Sequence, residues 1–148
     1  MIKIGINGFG RIGRAIFKNA LLFDDIQIVA INDINPEVEN LGYLLKYDSF
    51  YGRFKGDIKI ESNKIVIDQK TIDIYQQSNI GNVPWVELGC DIVIEAAGVH
   101  SLLDELPGII ESGVKKVVVT YSPDHKVDNS IVLGANDEQY DPIKHNII

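Results

Sequence analysis

The sequence predicts an α/β domain built on a doubly wound, mostly parallel sheet with a small antiparallel strand insertion. Three observations predict it. Short runs rich in Ile and Val, at 2–6, 26–32, 91–96 and 116–120, are almost wholly apolar, as strands buried on both faces are. Stretches with apolar residues at helical spacing separate most of them. The middle of the chain instead carries short strand-like runs divided by polar turns. A length of 148 residues fits one domain, and 45% hydrophobic residues suffice for a packed core.

Ile2 to Ile6 is expected as the first strand, followed by a glycine-rich turn from Gly8 to Gly13. A helix then runs to about Leu22, with Ile12, Ala15, Ile16 and Ala20 at helical spacing. Ile26 to Asn32 forms the second strand. Asn35-Pro36 supplies a cap and a first-turn proline for a second helix carrying Val38, Leu41, Tyr43, Leu44 and Leu45. Lys46 to Gly56 is a loop dense in Tyr, Asp, Gly and Phe. Asp57 to Ile60, Lys64 to Ile67 and Thr71 to Tyr75 are the inserted strands. Asp91 to Ala96 returns to the buried type and ends at Gly98. Ser101 and Asp104 have capping-box spacing for the next helix, which Pro107 interrupts or restarts and Gly113 stops. Lys116 to Thr120, Ser130 to Leu133 and Asn146 to Ile148 are further strands.

Composition excludes several classes of function. The formal charge of −7 argues against a nucleic-acid partner, because neutralising phosphates takes clustered Lys and Arg. No apolar run approaches the ~20 residues a membrane helix requires, so no membrane partner is expected. The single cysteine, Cys90, rules out an internal disulfide and a multi-thiolate metal site, and fits a reducing, cytoplasmic location. Cys90 enters its strand from the amino end, whereas sites on open parallel sheets gather at carboxyl ends, so it is expected to be buried and structural.

Gly8-Phe9-Gly10-Arg11-Ile12-Gly13 matches G-x-G-x-x-G. It follows a strand, opens a helix and has Asp33 about 20 residues on at the end of the second strand, the Rossmann dinucleotide-binding arrangement. Gly8 permits the turn, Gly10 lets a pyrophosphate approach the backbone, and Gly13 lets helix and strand pack closely. Free N–H groups and the positive dipole end at the helix start hold the anion. Asp33 accepts from the adenosine ribose hydroxyls and repels a 2′-phosphate, which favours NAD over NADP.

The segment Asn7 to Arg14, Ile31-Asn32-Asp33, Leu45-Lys46-Tyr47-Asp48-Ser49 with Gly52-Arg53-Phe54, Pro84-Trp85, Asp91 to Gly98, Lys115-Lys116-Val117, Gly134 to Asn136 and Tyr140-Asp141 together resemble phosphorylating glyceraldehyde-3-phosphate dehydrogenase. The resemblance implies the NAD-binding half of such an enzyme over residues 1–148, cut before the nucleophilic cysteine and catalytic histidine, and therefore inactive alone. In that family the whole enzyme oxidises glyceraldehyde 3-phosphate to 1,3-bisphosphoglycerate as a homotetramer, so the implied partners are NAD(H), a catalytic domain and sister subunits. It also implies roles for individual residues. The backbone N–H groups of Arg11 and Ile12 meet the pyrophosphate, with Asn7 shaping the turn, and the Ile12 side chain packs on the nicotinamide. Asn32 and Asp33 frame the adenosine. Gly98 leaves room where the coenzyme crosses, and Thr120 contacts the nicotinamide side. Ser78 stands where relatives carry a basic residue beside the adenine. Ile34, Ala97, His100 and Tyr121-Ser122-Pro123 also depart from the family pattern around the rim. The Tyr47, Asp48, Ser49 and Arg53 cluster is expected in packing or subunit contacts. A stand-alone non-catalytic NAD-responsive module or assembly partner of a separately encoded catalytic half, an erythrose-4-phosphate dehydrogenase fragment and another Rossmann dehydrogenase, such as one acting on homoserine or aspartate semialdehyde, remain as alternatives. Asp33 in place of glutamate favours the triose over the erythrose substrate.

Overall fold

The structure, a computed structural model, describes residues 1–48, 52–68, 70–123 and 127–148. Ser49, singled out above, lies outside the described residues, as does His125, expected as a loop histidine. The chain runs β1 (Ile2–Asn7), α1 (Arg11–Ala20), β2 (Ile26–Asn32), α2 (Val38–Lys46), β3 (Tyr47–Asp48), β4 (Gly52–Arg53), β5 (Ile58–Ile60), β6 (Lys64–Ile67), β7 (Lys70–Tyr75), β8 (Ile92–Glu95), α3 (Leu106–Ser112) and β9 (Lys116–Val119). Seven strands form one sheet in the order β5-β6-β7-β2-β1-β8-β9, with β3 and β4 as a separate two-stranded hairpin. The neighbours from β7 through β2, β1 and β8 to β9 run parallel, and β5 and β6 extend the sheet antiparallel. The inserted strands thus join the main sheet by way of β7.

Both faces of the sheet are covered, which explains why its central strands are continuous apolar runs. On one face Ile4, Ile6, Ile28 and Ile31 pack with Phe17 of α1 and Leu41 and Leu45 of α2. On the other, Ala30, Val93 and Val117 pack with Trp85, Leu103, Leu106 and Ile109. Trp85 is buried, and its indole N–H donates to the Ile80 carbonyl at 3.0 Å. A Cβ on Gly5 would stand 2.4 Å from the Trp85 ring, so the smallest residue on β1 makes room for the largest side chain of that core.

Several expectations need correction. Helix α1 buries Gly13, Phe17 and Ala20, whereas Ile12 is 53% exposed at the helix start. Helix α2 begins at Val38, because Asn35 Oδ1 accepts the Glu37 N–H at 3.0 Å and holds 35–37 in a turn. Ser101 caps nothing: a 3₁₀ turn spans His100–Glu105 with Val99 at its cap, and α3 starts afresh with Pro107 in its first turn. Ser130 to Leu133 is not a strand. Asn136 accepts the Val132 N–H and donates to the Ser130 carbonyl, closing the segment on itself and leaving Leu133 exposed. Residues 146–148 do lie beside β9, through a parallel bridge between Val117 and Ile147. Asp128 Oδ2 holds that segment by accepting the Asn146 and Ile147 N–H groups.

Candidate functional site

Strands β1, β2 and β8 are adjacent, and each ends on a buried polar residue: Asn7, Asn32 and Glu95. In register, Asn7 lies opposite Asn32 on one side and Glu95 on the other. Their side chains form one hydrogen-bonded row across the carboxyl edge of the sheet. Asn7 Nδ2 donates to Glu95 Oε2. Asn32 Nδ2 donates to Asn7 Oδ1 at 2.6 Å and to the Gln77 carbonyl at 2.9 Å, and the Gln77 N–H returns a bond to Asn32 Oδ1 at 2.8 Å. The other Glu95 oxygen accepts the Ala97 N–H at 2.7 Å. Burial raises the Glu95 pKa, the bonds from Asn7 and Ala97 oppose the rise, and the nearby Glu105 charge adds to it. Tyr121, also close to Glu95, is pushed up to about 12, chiefly by its own burial.

The glycine turn rests on this row. Gly8 has φ +88°, a left-handed conformation suited to glycine, and its Cα faces the Ala96–Ala97 backbone so closely that a Cβ would lie 2.4 Å from Ala97 N. Gly13 is required for a different reason: a Cβ there would stand 2.0 Å from the Gly8 carbonyl oxygen, so α1 could not approach β1. Gly10 differs from both, since a Cβ on it would meet nothing within 4 Å. The protein's own packing therefore explains two of the three glycines, and the third fronts open space. Gly10 is also the cap of α1 and contributes no side-chain bond, so the first-turn N–H groups, Arg11 and Ile12 among them, have neither a capping side chain nor an intrahelical acceptor.

A cavity of about 420 Å³ opens at this edge, lined by Asn7, Gly8, Gly10, Asn32, Asp33, Ile34, Gln77, Ser78, Ala96, Ala97, Val99, Ser101, Leu102 and Glu105. Six of the sequence-derived site residues thus share one wall: Asn7, Gly8, Gly10, Asn32, Asp33 and Ser78. Arg11 and Ile12 stand exposed at the start of α1, beside Gly10. Gly98 is exposed with φ +69°, and a Cβ there would touch nothing, so its backbone conformation accounts for glycine without a ligand. Thr120 lines a second cavity with Tyr121, Ser122 and Pro123, and its hydroxyl donates to the Glu95 carbonyl at 3.1 Å. The hydroxyl expected to face the nicotinamide is thus already engaged with backbone.

Asp33 has a structural duty that its position alone did not reveal. One oxygen accepts the Phe9 N–H at 2.7 Å, and the other accepts the Asn35 N–H at 2.9 Å. Two backbone bonds hold the carboxylate against the glycine turn, and each oxygen retains a further lone pair. The row's anchor, Glu95, was missed altogether; a lone carboxylate between Ile94 and Ala96 at the end of an apolar strand was the available signal.

Cys90 lies before β8, at the opposite end of that strand from the cavity. It is buried, its thiol pushed up to about 12 by burial and by the Asp91 charge, with Lys3 opposing. Burial and Asp91 outweigh Lys3 there, so the thiolate that nucleophilic chemistry needs is disfavoured. His100 stacks at a tilt on Tyr121, ring centroids 5.4 Å apart, and His145 Nδ1 accepts the Asp141 N–H at 3.0 Å. In the loop cluster, Asp48 pairs with Lys18 of α1 at 3.0 Å, and the Tyr47 ring meets Tyr43 and the Arg53 guanidinium.

Open space before Gly10, uncapped amides behind it and a fixed carboxylate one strand away make a fitting cradle for a diphosphate joined to a sugar. A family model described as glyceraldehyde 3-phosphate dehydrogenase, NAD binding domain, matches residues 2–102. The chain belongs to the glyceraldehyde-3-phosphate dehydrogenase family. The relatives agree. A glyceraldehyde-3-phosphate dehydrogenase of Phaeosphaeria nodorum is 45% identical over 141 residues, covering 95% of this chain and 41% of the relative. That of Geobacillus stearothermophilus is 40% identical over 147 residues, 99% of this chain and 43% of the relative. Glyceraldehyde-3-phosphate dehydrogenase 2 of Streptomyces avermitilis is 44% identical, covering 99% and 44%. The chain therefore spans about two fifths of the length of the curated relatives it matches, the part that is the family's NAD-binding domain. NAD is the cofactor of this domain, and the domain's place in the family implies a catalytic partner domain. No helix among the described residues is long and apolar enough to cross a membrane.

Proposed function

We propose that residues 1–148 act as a single coenzyme-binding domain that captures NAD(H) at the carboxyl edge of the sheet for a phosphorylating glyceraldehyde-3-phosphate dehydrogenase. The observation that carries this reading is the open space in front of Gly10, beside a helix start whose amides lack a cap. The N–H groups of Arg11 and Ile12 hold the pyrophosphate. Asn7 and Glu95 set the turn that aims them, and Asp33 accepts from the adenosine ribose with the lone pairs that Phe9 and Asn35 leave. Asn32 buttresses that ribose side from the buried row, and Ser78 faces the adenosine end. Ile12, apolar and half exposed beside the turn, supplies a face for the nicotinamide. Gly98 and Thr120 stay at the rim: Gly98 keeps the path open, and Thr120 steadies Glu95 through its backbone.

When bound, NAD supplies the hydride acceptor for oxidation of an aldehyde. This chain's residues bind and orient it. The one cysteine is buried at the far end of β8, so the nucleophile, the base and the substrate phosphate sites belong to the catalytic partner domain, and the chain alone does not turn over. With that domain the reaction is conversion of glyceraldehyde 3-phosphate to 1,3-bisphosphoglycerate in a homotetramer. Exposed Val132, Leu133 and Ile143, in the segment after β9, support cover by such partners. A buried free thiol suits a reducing cytoplasm.

Calorimetric titration tests the reading. NAD binds, NADP binds more weakly because Asp33 repels a 2′-phosphate, and Asp33→Ala weakens NAD more than NADP. Unchanged NAD affinity in Asp33→Ala removes Asp33 from the site, and absence of NAD binding to the wild type removes the proposal.

A further inference from the structure

Two loops flank the cavity, one after β7 and one after β8, with β2 and β1 between them. Each begins where the backbone ladder stops. The last ladder bonds run from the Asp33 N–H to the Tyr75 carbonyl on one side and from the Ala96 N–H to the Asn7 carbonyl on the other. Gln77 and Ser78 lie beyond the first and Ala97 beyond the second, and all three line the cavity. The side chains of the buried row take over there. Asn32 accepts the Gln77 N–H and donates to the Gln77 carbonyl, as one more rung of a sheet would, and Glu95 accepts the Ala97 N–H.

The row has a direction. Its two bonds to Gln77 fix the Asn32 amide, so Asn32 Nδ2 must donate to Asn7 Oδ1. Asn7 is then left with Nδ2 to offer Glu95. Donors thus reach residue 95 from both sides, from Asn7 and from the Ala97 N–H, and an ionised carboxylate is the side chain of that length that only accepts. Asn7, Asn32 and Glu95 are all buried, so a misdirected donor goes unsatisfied. We propose that Glu95 is a positioning residue for NAD that acts on both flanking loops: as the row's acceptor-only end it sets the direction of every bond back to Gln77, and so holds the Gln77–Ser78 and Ala97 walls at the spacing the coenzyme needs. The proposal rests on the coenzyme reading above and extends the reach of Glu95 from the glycine turn to the adenosine end.

The test reverses the row's polarity and then restores it, with calorimetric titration of this chain by NAD and thermal melts alongside. In Glu95→Gln the new amide keeps an oxygen for one donor and turns its NH₂ on the other, and turning the Asn7 or Asn32 amide only moves the donor clash along the row. NAD affinity of the folded variant is expected to fall at least about tenfold, the scale of one lost hydrogen bond to a charged group. The double variant Asn7→Asp/Glu95→Gln satisfies every bond again. The carboxylate then at position 7 accepts from Asn32 and from the amide at position 95, whose oxygen accepts the Ala97 N–H. Its affinity is expected to return to within about threefold of wild type, a coupling that independent sites do not show. A residue that only stabilised the fold would lower the melting temperature of Glu95→Gln and leave the affinity of folded protein unchanged. That result overturns the proposal while leaving NAD binding intact, as does a double variant that binds NAD no better than Glu95→Gln. Should Glu95→Gln not fold, the double variant decides: folding with near-wild-type affinity supports the proposal, and failure to fold or to bind overturns it. Wild-type protein that binds no NAD overturns the coenzyme reading and this proposal together.

Discussion

Glu95 and Asn7 should behave as one unit. Glu95 is fully buried and its two oxygens accept from Asn7 Nδ2 and the Ala97 N–H. Glu95→Ala removes both acceptors, and each stranded donor costs about 1–3 kcal/mol. Against that, the substitution releases the desolvation penalty visible in the raised pKa. The net expectation is a loss of about 2–4 kcal/mol. Asn7→Ala removes the link between Glu95 and Asn32 and should cost a similar amount, about 2–4 kcal/mol by the same reasoning. Because the two side chains share a charge-assisted bond, the double variant should lose about 1.5–3 kcal/mol less than the sum of the singles. Urea unfolding of the four proteins, followed by far-ultraviolet circular dichroism, measures the coupling. Additivity within about 0.5 kcal/mol would refute the row as an energetic unit.

Three further predictions separate the causes of local features. Gly10→Ala should keep stability within about 1 kcal/mol of wild type yet lose at least about tenfold in NAD affinity, while Gly13→Ala should lose more than about 2 kcal/mol of stability, because its Cβ meets the Gly8 carbonyl; thermal melts paired with calorimetry show whether the two variants split this way. Cys90 should resist iodoacetamide in native protein at mildly alkaline pH and label readily in urea, read by mass spectrometry, since its thiol is held near 12 and buried; rapid native labelling would contradict this. The bonds from Lys115 and the Lys3 N–H hold Asp91 below its ordinary 3.8, so its stabilisation is complete above that pH and lost as pH falls through the lowered value. Glu95 has the opposite sign: raised above its ordinary 4.5, its contribution is present below that pH and lost as pH rises through the folded value. Acid titrations of stability should therefore show the Asp91→Asn and wild-type curves converging below about pH 3.8, and the curve of Glu95→Gln losing less than wild type as pH rises above 4.5.

The parallel strands and the glycine turn were legible because burial on two faces writes itself as an unbroken apolar run, and the turn's spacing is local. What escaped were features decided by partners far along the chain. Glu95 meets Asn7 across a separation of 88 residues, so a carboxylate at a strand end read as an ordinary polar terminus. Asp33 was read as a sugar ligand from its spacing, but its bonds to Phe9 and Asn35 were invisible without the turn's geometry. Thr120 was read toward the ligand because nothing local reveals that its hydroxyl meets the Glu95 carbonyl. Ile131 and Val132 resemble a strand by composition, yet the Asn136 amide closes their segment before a neighbour can pair with it. Ile12 fits helical spacing but points away from the core, because Phe17 and Ala20 occupy the buried stripe of α1.

The central claim is that uncapped amides at the start of α1 receive the diphosphate of NAD in the space before Gly10. A titration of ¹⁵N-labelled protein with NAD, followed by amide resonances, tests it directly. The account predicts saturable shifts largest at Gly10, Arg11 and Ile12, with smaller ones at Asp33 and Ser78. Saturable binding that leaves those amides unmoved and shifts another surface would contradict it.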